Sequence, residues 1–182
     1  MIEIRLHGRG GQGVVTAAEL LATAAFSDGK YTMAFPTFGS ERMGAPVASF
    51  VRISETPIRV RSQIYEPDHV IVQDPTIIGI VDVFAGLKDG GVVLVNTAKP
   101  ASELKIKAKA NVVTIDATKL AIEILGRPIP NTIMVGAFCG ITGIVSMSGI
   151  EKAIRHKFEG KGDIVEKNIK AAEQAYNMLK KK

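Results

Sequence analysis

The chain has 182 residues, 46% of them apolar and 23% charged, which suits a single domain over 1–182 and excludes a mainly disordered state. The formal net charge of +5 suits a phosphate-bearing ligand or an acidic partner, but with no Trp and no run interleaving basic and aromatic residues, nucleic acid is not expected. Cys139 is the one cysteine, so an internal disulfide and a Cys-held iron–sulfur or zinc site within this chain are excluded; Glu3 and Arg5 argue against a signal peptide, and no apolar run reaches the ~20 residues of a membrane span, so a cytoplasmic protein is expected.

In chain order, Ile2, Ile4 and Leu6 alternate with Glu3 and Arg5, which predicts a strand. The glycine turn Gly8-Arg9-Gly10-Gly11-Gln12-Gly13 follows, then an Ala- and Leu-rich helix from Val14 to Phe26 that Gly29 ends. Tyr31–Phe35 predicts a second strand and Pro36–Pro46 a loop. Val47–Ile53 and Ile58–Val60, separated by Ser54-Glu55-Thr56-Pro57, predict a β-hairpin. Val70-Ile71-Val72 is a continuous apolar run of the kind found in buried parallel strands. Asp74-Pro75 then opens a helix through Phe84, with Asp as N-cap and Pro at the first helical position.

Val92–Val95 and Val112–Ile115 are further buried strands, and Thr118–Leu125 is a helix stopped by Gly126 and Pro128. Asn131 is expected to cap a helix through Val145 whose Gly136, Gly140 and Gly143 form a bare stripe, an expected contact for another backbone and a sign of a missing partner. The last helix runs from Asp163 to Leu179, with Val165, Ile169, Ala172, Tyr176 and Leu179 on one face. Together these elements predict an α/β chain: a Rossmann-like, doubly wound, mostly parallel sheet with an inserted β-hairpin, in a single domain.

Gly8, Gly10 and Gly13 match G-x-G-x-x-G between a strand and a helix, the context the motif requires. Glycines permit positive φ and let a ligand touch the backbone, and the helix N-terminus offers free N–H groups and partial positive charge. Arg9 adds a full charge. A pyrophosphate is the expected guest, met by the N–H groups of Gly10, Gly11, Gln12 and Gly13. An NAD or FAD site would want an acidic residue at the end of the second strand, and that strand ends at Phe35-Pro36-Thr37. A purely structural reading, in which the glycines only let the helix pack tightly on the strand, stands beside both.

The stretch His7 to Gly13 resembles the opening of the gamma subunits of the 2-oxoacid:ferredoxin oxidoreductases. So do Ala34-Phe35-Pro36-Thr37-Phe38-Gly39-Ser40-Glu41-Arg42-Met43-Gly44-Ala45-Pro46 and Ile58-Arg59-Val60-Arg61-Ser62-Gln63-Ile64-Tyr65-Glu66-Pro67-Asp68. Asn131 to Ala137 fits less specifically, and the likeness covers nearly the whole chain. The second and third blocks look like the pyruvate or branched-chain members.

The resemblance implies a subunit that has no activity alone. The family reaction takes pyruvate, CoA and oxidised ferredoxin to acetyl-CoA, CO2 and reduced ferredoxin. Thiamine diphosphate, Mg and the iron–sulfur clusters are implied on partner alpha, beta and delta subunits, with ferredoxin met indirectly. For this chain the resemblance implies a share in CoA binding and in assembly. The site residues it points to are Gly8, Arg9, Gly10, Gly11, Gln12 and Gly13 on phosphate, with Ser40 and Arg42 closing over the nucleotide. No catalytic residue and no metal ligand is expected here. The competing readings are a stand-alone dinucleotide-dependent oxidoreductase and a structural module with an empty glycine turn.

Arg59 and Arg61 are expected on one face of a strand, meeting water or an acidic partner. Asp74, Asn96 and Asp116 are expected to end their strands on the ligand side, Asp74 as an N-cap. His7 precedes the glycine turn and can bond it, His69 and His156 stand at no metal-binding spacing, and a core or surface role is the expectation for all three.

Overall fold

The computed structural model describes residues 1–37 and 43–180. Six strands form one sheet: β1 (Ile2–Arg9), β2 (Tyr31–Pro36), β3 (Pro46–Ser54), β4 (His69–Val72), β5 (Val92–Asn96) and β6 (Asn111–Ile115). Five α-helices accompany them among the described residues: α1 (Val14–Ser27), α2 (Ala117–Leu125), α3 (Asn131–Thr142), α4 (Met147–Lys157) and α5 (Asp163–Leu179). The strand order is β2-β3-β1-β4-β5-β6. β1, β4, β5 and β6 pair in parallel, while β3 runs antiparallel to both β1 and β2. The expected mixed, mostly parallel α/β architecture is therefore present.

The hairpin has different partners from those predicted. β2 and β3 form it, and β3 inserts between β2 and β1. Ile58–Val60 is no strand. The carbonyl of Val60 instead accepts from a buried arginine, Arg52, and the segment between Pro57 and Pro67 crosses the sheet rather than joining it.

The sheet separates two cores, and β4 and β5 alternate between them. Ile4, Leu6, Val51, Ile53, Ile71 and Leu94 share one cluster with all five helices. Val70, Val72, Val93 and Val95 face the other way, onto Ile77, Val83 and the partly buried Leu104 and Ile106. The chain thus winds onto both faces, but on the second it does so in short 3-10 turns. The helix expected from Asp74 to Phe84 is one of these, Pro75–Ile77. Asp74 caps it as expected, but Ile78 at ψ 118 is already extended and ends it, and Gly79 at φ 95 follows in the left-handed region.

α3 is buried all round from Asn131 to Ile141 and forms the hub of the helical layer; Pro130, not Asn131 as expected, takes its N-cap position. It ends at Thr142 because Gly143 takes the left-handed C-cap conformation. The chain then enters α4, unpredicted from sequence, whose N-cap Ser146 accepts from the Gly149 N–H. The glycine stripe on α3 does not await another chain. A Cβ on Gly136 or Gly140 would run into the carbonyl oxygens of Ala172 and Tyr176, so α5 of the same chain lies directly against it. Among the described residues no helix is long and apolar enough to cross a membrane.

Candidate functional site

The glycine turn is built from its own side chains outward. Gly11 and Gly13 have φ of 90 and 73, the left-handed region where a side chain is costly. Gly8 is required by space: a Cβ there would sit 2.6 Å from Val14 Cγ2 and 3.3 Å from Gln73 Cβ. Gly13 is the N-cap of α1, which has no side-chain cap and no acidic residue in its first turn.

Several of the expected phosphate donors are already used. Gly10 N–H donates to Ala45 O at 2.9 Å and Gln12 N–H to Arg9 O at 3.1 Å. Gln12 Oε1 accepts from Arg9 N–H at 2.7 Å, and Gln12 Nε2 donates to Asp74 Oδ2 at 2.6 Å. The Arg9 guanidinium donates to Thr76 Oγ1 and to Gly44 O, and its Nε lies 3.3 Å from Asp74 Oδ2. Burial works to raise the Asp74 pKa, but hydrogen bonds from Thr76 and Gln12 and the nearby Arg9 outweigh it and hold the carboxyl below its usual value. Arg9, Gln12 and Asp74 therefore act as a clamp that fixes the turn. The expectation of phosphate contact meets, at Arg9 and at the Gly10 and Gln12 amides, groups already bonded within the chain. Gly11 and Gly13 carry it forward: among the described residues no acceptor meets their N–H groups.

Both glycines line a cavity of about 340 Å3. Asn131, at the N-terminus of α3, faces Gly13 across it, with Nδ2 2.8 Å from where a Gly13 Cβ would be. Four cationic residues line the same space: Arg127, Lys157, Lys161 and Lys167. Leu125, Ile129, Phe158 and Ile164 supply an apolar part. No Asp or Glu is among the lining residues. Lys157 Nζ meets Glu19 Oε2 at 2.6 Å, an exposed pair, and Lys161 Nζ stands 5.6 Å over the Phe158 ring. Two helix N-termini whose N-cap residues supply no side-chain bond, together with four cations, give this cleft a positive electrostatic character.

None of these four cations was singled out from sequence. They come from the α2–α3 connection, the end of α4, the α4–α5 turn and α5. The available signal was weak: a basic run Arg155-His156-Lys157 with Lys161 soon after, next to Gly160 and Gly162.

The other expected positions are placed as follows. Ser40 and Arg42 lie outside the described residues. Asn96 binds internally, donating to Gln73 O at 2.9 Å and Thr118 Oγ1 at 2.8 Å. Asp116 accepts from Lys119 N–H and caps α2. His7 does not bond the turn; its Nε2 accepts from Arg5 Nε at 3.0 Å. Desolvation first, and the Arg5 charge second, push its pKa down to about 4. His69 Nδ1 accepts from Val92 N–H at 3.0 Å. Arg59 and Arg61 are exposed on a segment that is not a strand.

The family described as pyruvate ferredoxin/flavodoxin oxidoreductase matches residues 3–178. A pyruvate synthase subunit PorC from Methanocaldococcus jannaschii is 58% identical over 182 residues, covering 100% of this chain and 99% of that protein. A pyruvate/ketoisovalerate oxidoreductases common subunit gamma from Thermococcus kodakarensis is 56% identical over 180 residues, 97% of this chain and 96% of that one. The crystal structure of pyruvate oxidoreductase subunit PORC from Thermotoga maritima superposes with a TM-score of 0.83 at 38% identity, covering 97% of this chain and 95% of the other. A 2-oxoglutarate:ferredoxin oxidoreductase from Magnetococcus marinus, solved with 2-oxoglutarate, coenzyme A and succinyl-CoA bound, shares the fold at a TM-score of 0.80 and 20% identity. It covers 98% of this chain and 31% of that larger one.

Proposed function

The chain belongs to the pyruvate ferredoxin/flavodoxin oxidoreductase family, as a gamma subunit of the pyruvate enzyme, and on that premise we propose that its basic cavity holds the phosphates of CoA. The amides of Gly11 and Gly13 suit the pyrophosphate. Arg127, Lys157, Lys161 and Lys167 suit the pyrophosphate and the 3′-phosphate. One observation supports this reading above the rest: four cations and two unengaged left-handed glycine amides share a cleft whose lining has no carboxylate. A dinucleotide site would want such a carboxylate for the ribose. The coenzyme A in the Magnetococcus relative is consistent with this choice.

This chain's residues do not fit the redox and carbanion cofactors. Cys139, the single cysteine, is fully buried, and desolvation pushes its thiol pKa well up. Among the described residues no three His, Cys, Asp or Glu side chains group to hold a metal. In this reading thiamine diphosphate, Mg and the clusters belong to alpha, beta and delta partner subunits in the cytoplasm, and ferredoxin is reached through them. Recognition of the oxoacid side chain belongs there too. The Thermococcus relative, common to a pyruvate and a ketoisovalerate enzyme, supports that division and keeps a branched-chain role open for the same subunit.

The test uses the assembled enzyme carrying Lys161→Gln and Lys167→Gln. Loss of two charge-assisted contacts raises the KM for CoA about tenfold, a change of about 1.4 kcal/mol. The KM for pyruvate and the rate at saturating CoA stay unchanged. A CoA KM that does not move contradicts the proposal.

A further inference from the structure

The segment from Pro57 to Pro67 crosses the sheet face opposite the helices, and its hydrogen bonding is one-sided. Its carbonyls at alternate residues point inward. Val60 O and Ser62 O accept from Arg52 Nη1 at 3.3 and 2.7 Å, and Ile64 O accepts from Arg5 Nη1 at 3.4 Å. Both arginines are buried, Arg52 with only 2% of its surface exposed. Arg52 is further fixed by Glu3 at 2.8 Å and by the Phe35 ring, and Arg5 by Ala85 O at 2.6 Å. Among the described residues, no backbone N–H from Ile58 to Glu66 finds an acceptor within the chain.

Two buried guanidiniums therefore hold a strap that buries little besides Ile64. A buried charge is costly, and the strap's carbonyls share its compensation with Glu3 at Arg52 and with His7, Val83 O and Ala85 O at Arg5. What the strap presents outward is specific. Arg59 and Arg61 are exposed and have no carboxylate partner among the described residues. Val60 and Tyr65 are exposed beside them, Tyr65 at 71%. Tyr and Arg are the side chains that anchor interfaces. With the carbonyls of Val60, Ser62 and Ile64 turned in, the backbone N–H groups of Arg59, Arg61 and Gln63 have no acceptor among the described residues. The result is a pre-ordered edge with open donors and unpaired positive charge, which lowers the ordering cost of binding.

We propose that the strap is a docking edge for an extended, carboxylate-bearing segment of a partner subunit, which adds backbone hydrogen bonds to residues 58–66 and pairs its acids with Arg59 and Arg61. This rests on the reading of the chain as one subunit of a larger assembly, and it is independent of the CoA cavity.

Hydrogen exchange of the full chain, alone and in the assembled enzyme, tests it together with the variant Arg59→Glu/Arg61→Glu. The strap amides exchange fast in the free chain and slow at least about tenfold on assembly. The variant, whose altered side chains are exposed, keeps the parent's melting temperature but binds its partners at least about tenfold more weakly, with the KM for CoA unchanged in whatever complex remains. Strap amides that exchange as fast in the complex as in the free chain overturn the proposal. So does a variant that assembles with parental affinity, since the occupant is then not acidic. Strap protection that grows with concentration of the isolated chain also overturns it, by pointing to a second copy. Failure of the chain to gain protection anywhere on mixing with the partner subunits would instead sink the assembly reading itself, and the proposal with it.

Discussion

His7 lies in β1 with its Nε2 accepting from Arg5, so the imidazole is held neutral inside the protein. Its pKa falls from 6.5 to about 4 on folding. Between those values the unfolded chain binds the proton and the folded chain does not. Stability therefore rises with pH across that window and is lost as pH drops from 6.5 toward 4, by up to about 1.4 kcal/mol per pH unit and roughly 3 kcal/mol in all. Urea unfolding at pH 7 and pH 4.5 measures it. His7→Gln can still accept from Arg5 without titrating, and it flattens the slope; an unchanged slope places the acid sensitivity elsewhere. Little of this was legible in the sequence. His7 and Arg5 look like a polar face in the sequence, and the strap together with the Val83–Ala85 segment makes that face interior. Arg52 is the same case, a charge written into a strand that turns out to be a rivet.

Elements were easier to read than residues because caps and breakers act locally. Asp116 and Gly126 bound α2 near where the sequence put it, and α5 starts and ends as its apolar spacing indicates. The hairpin and the glycine stripe failed for one physical cause: distant contacts decided them. Val47–Ile53 is β-prone wherever it pairs, and only the tertiary fold selects β2 and β1 as neighbours over Ile58–Val60. The α3 stripe was legible as a close-approach surface, but not the identity of what approaches, which is α5. That contact gives a sharp expectation. Gly136→Ala puts a Cβ into the Ala172 carbonyl, so the two helices must separate, at a cost of about 1–3 kcal/mol. The same change at Gly143, where nothing lies within 4 Å, costs only the strain of its left-handed φ of 66. Thermal melts of both variants compare them; equal losses would argue that helix contact is not what α3 glycines provide.

At the scale of the whole molecule, two of the places where positive charge gathers bear on function. One is the cleft at the N-termini of α1 and α3, where cations from separate elements converge on Gly11 and Gly13. The other is the strap above the opposite sheet face. The glycine turn was legible as a phosphate motif, but its division of labour was not. Arg9 and Gln12 look like ligand contacts in a one-dimensional reading and prove to be braces against Asp74 and Thr76. The lysines that complete the cleft are more than a hundred residues further along the chain, beyond the reach of any local pattern.

The most direct measurement is the density of the assembled enzyme soaked with CoA. The account predicts phosphate groups in the cleft, within about 3 Å of the Gly11 and Gly13 amides and flanked by Arg127, Lys161 and Lys167. CoA bound with its phosphates on another subunit, and this cleft holding only solvent, would contradict it.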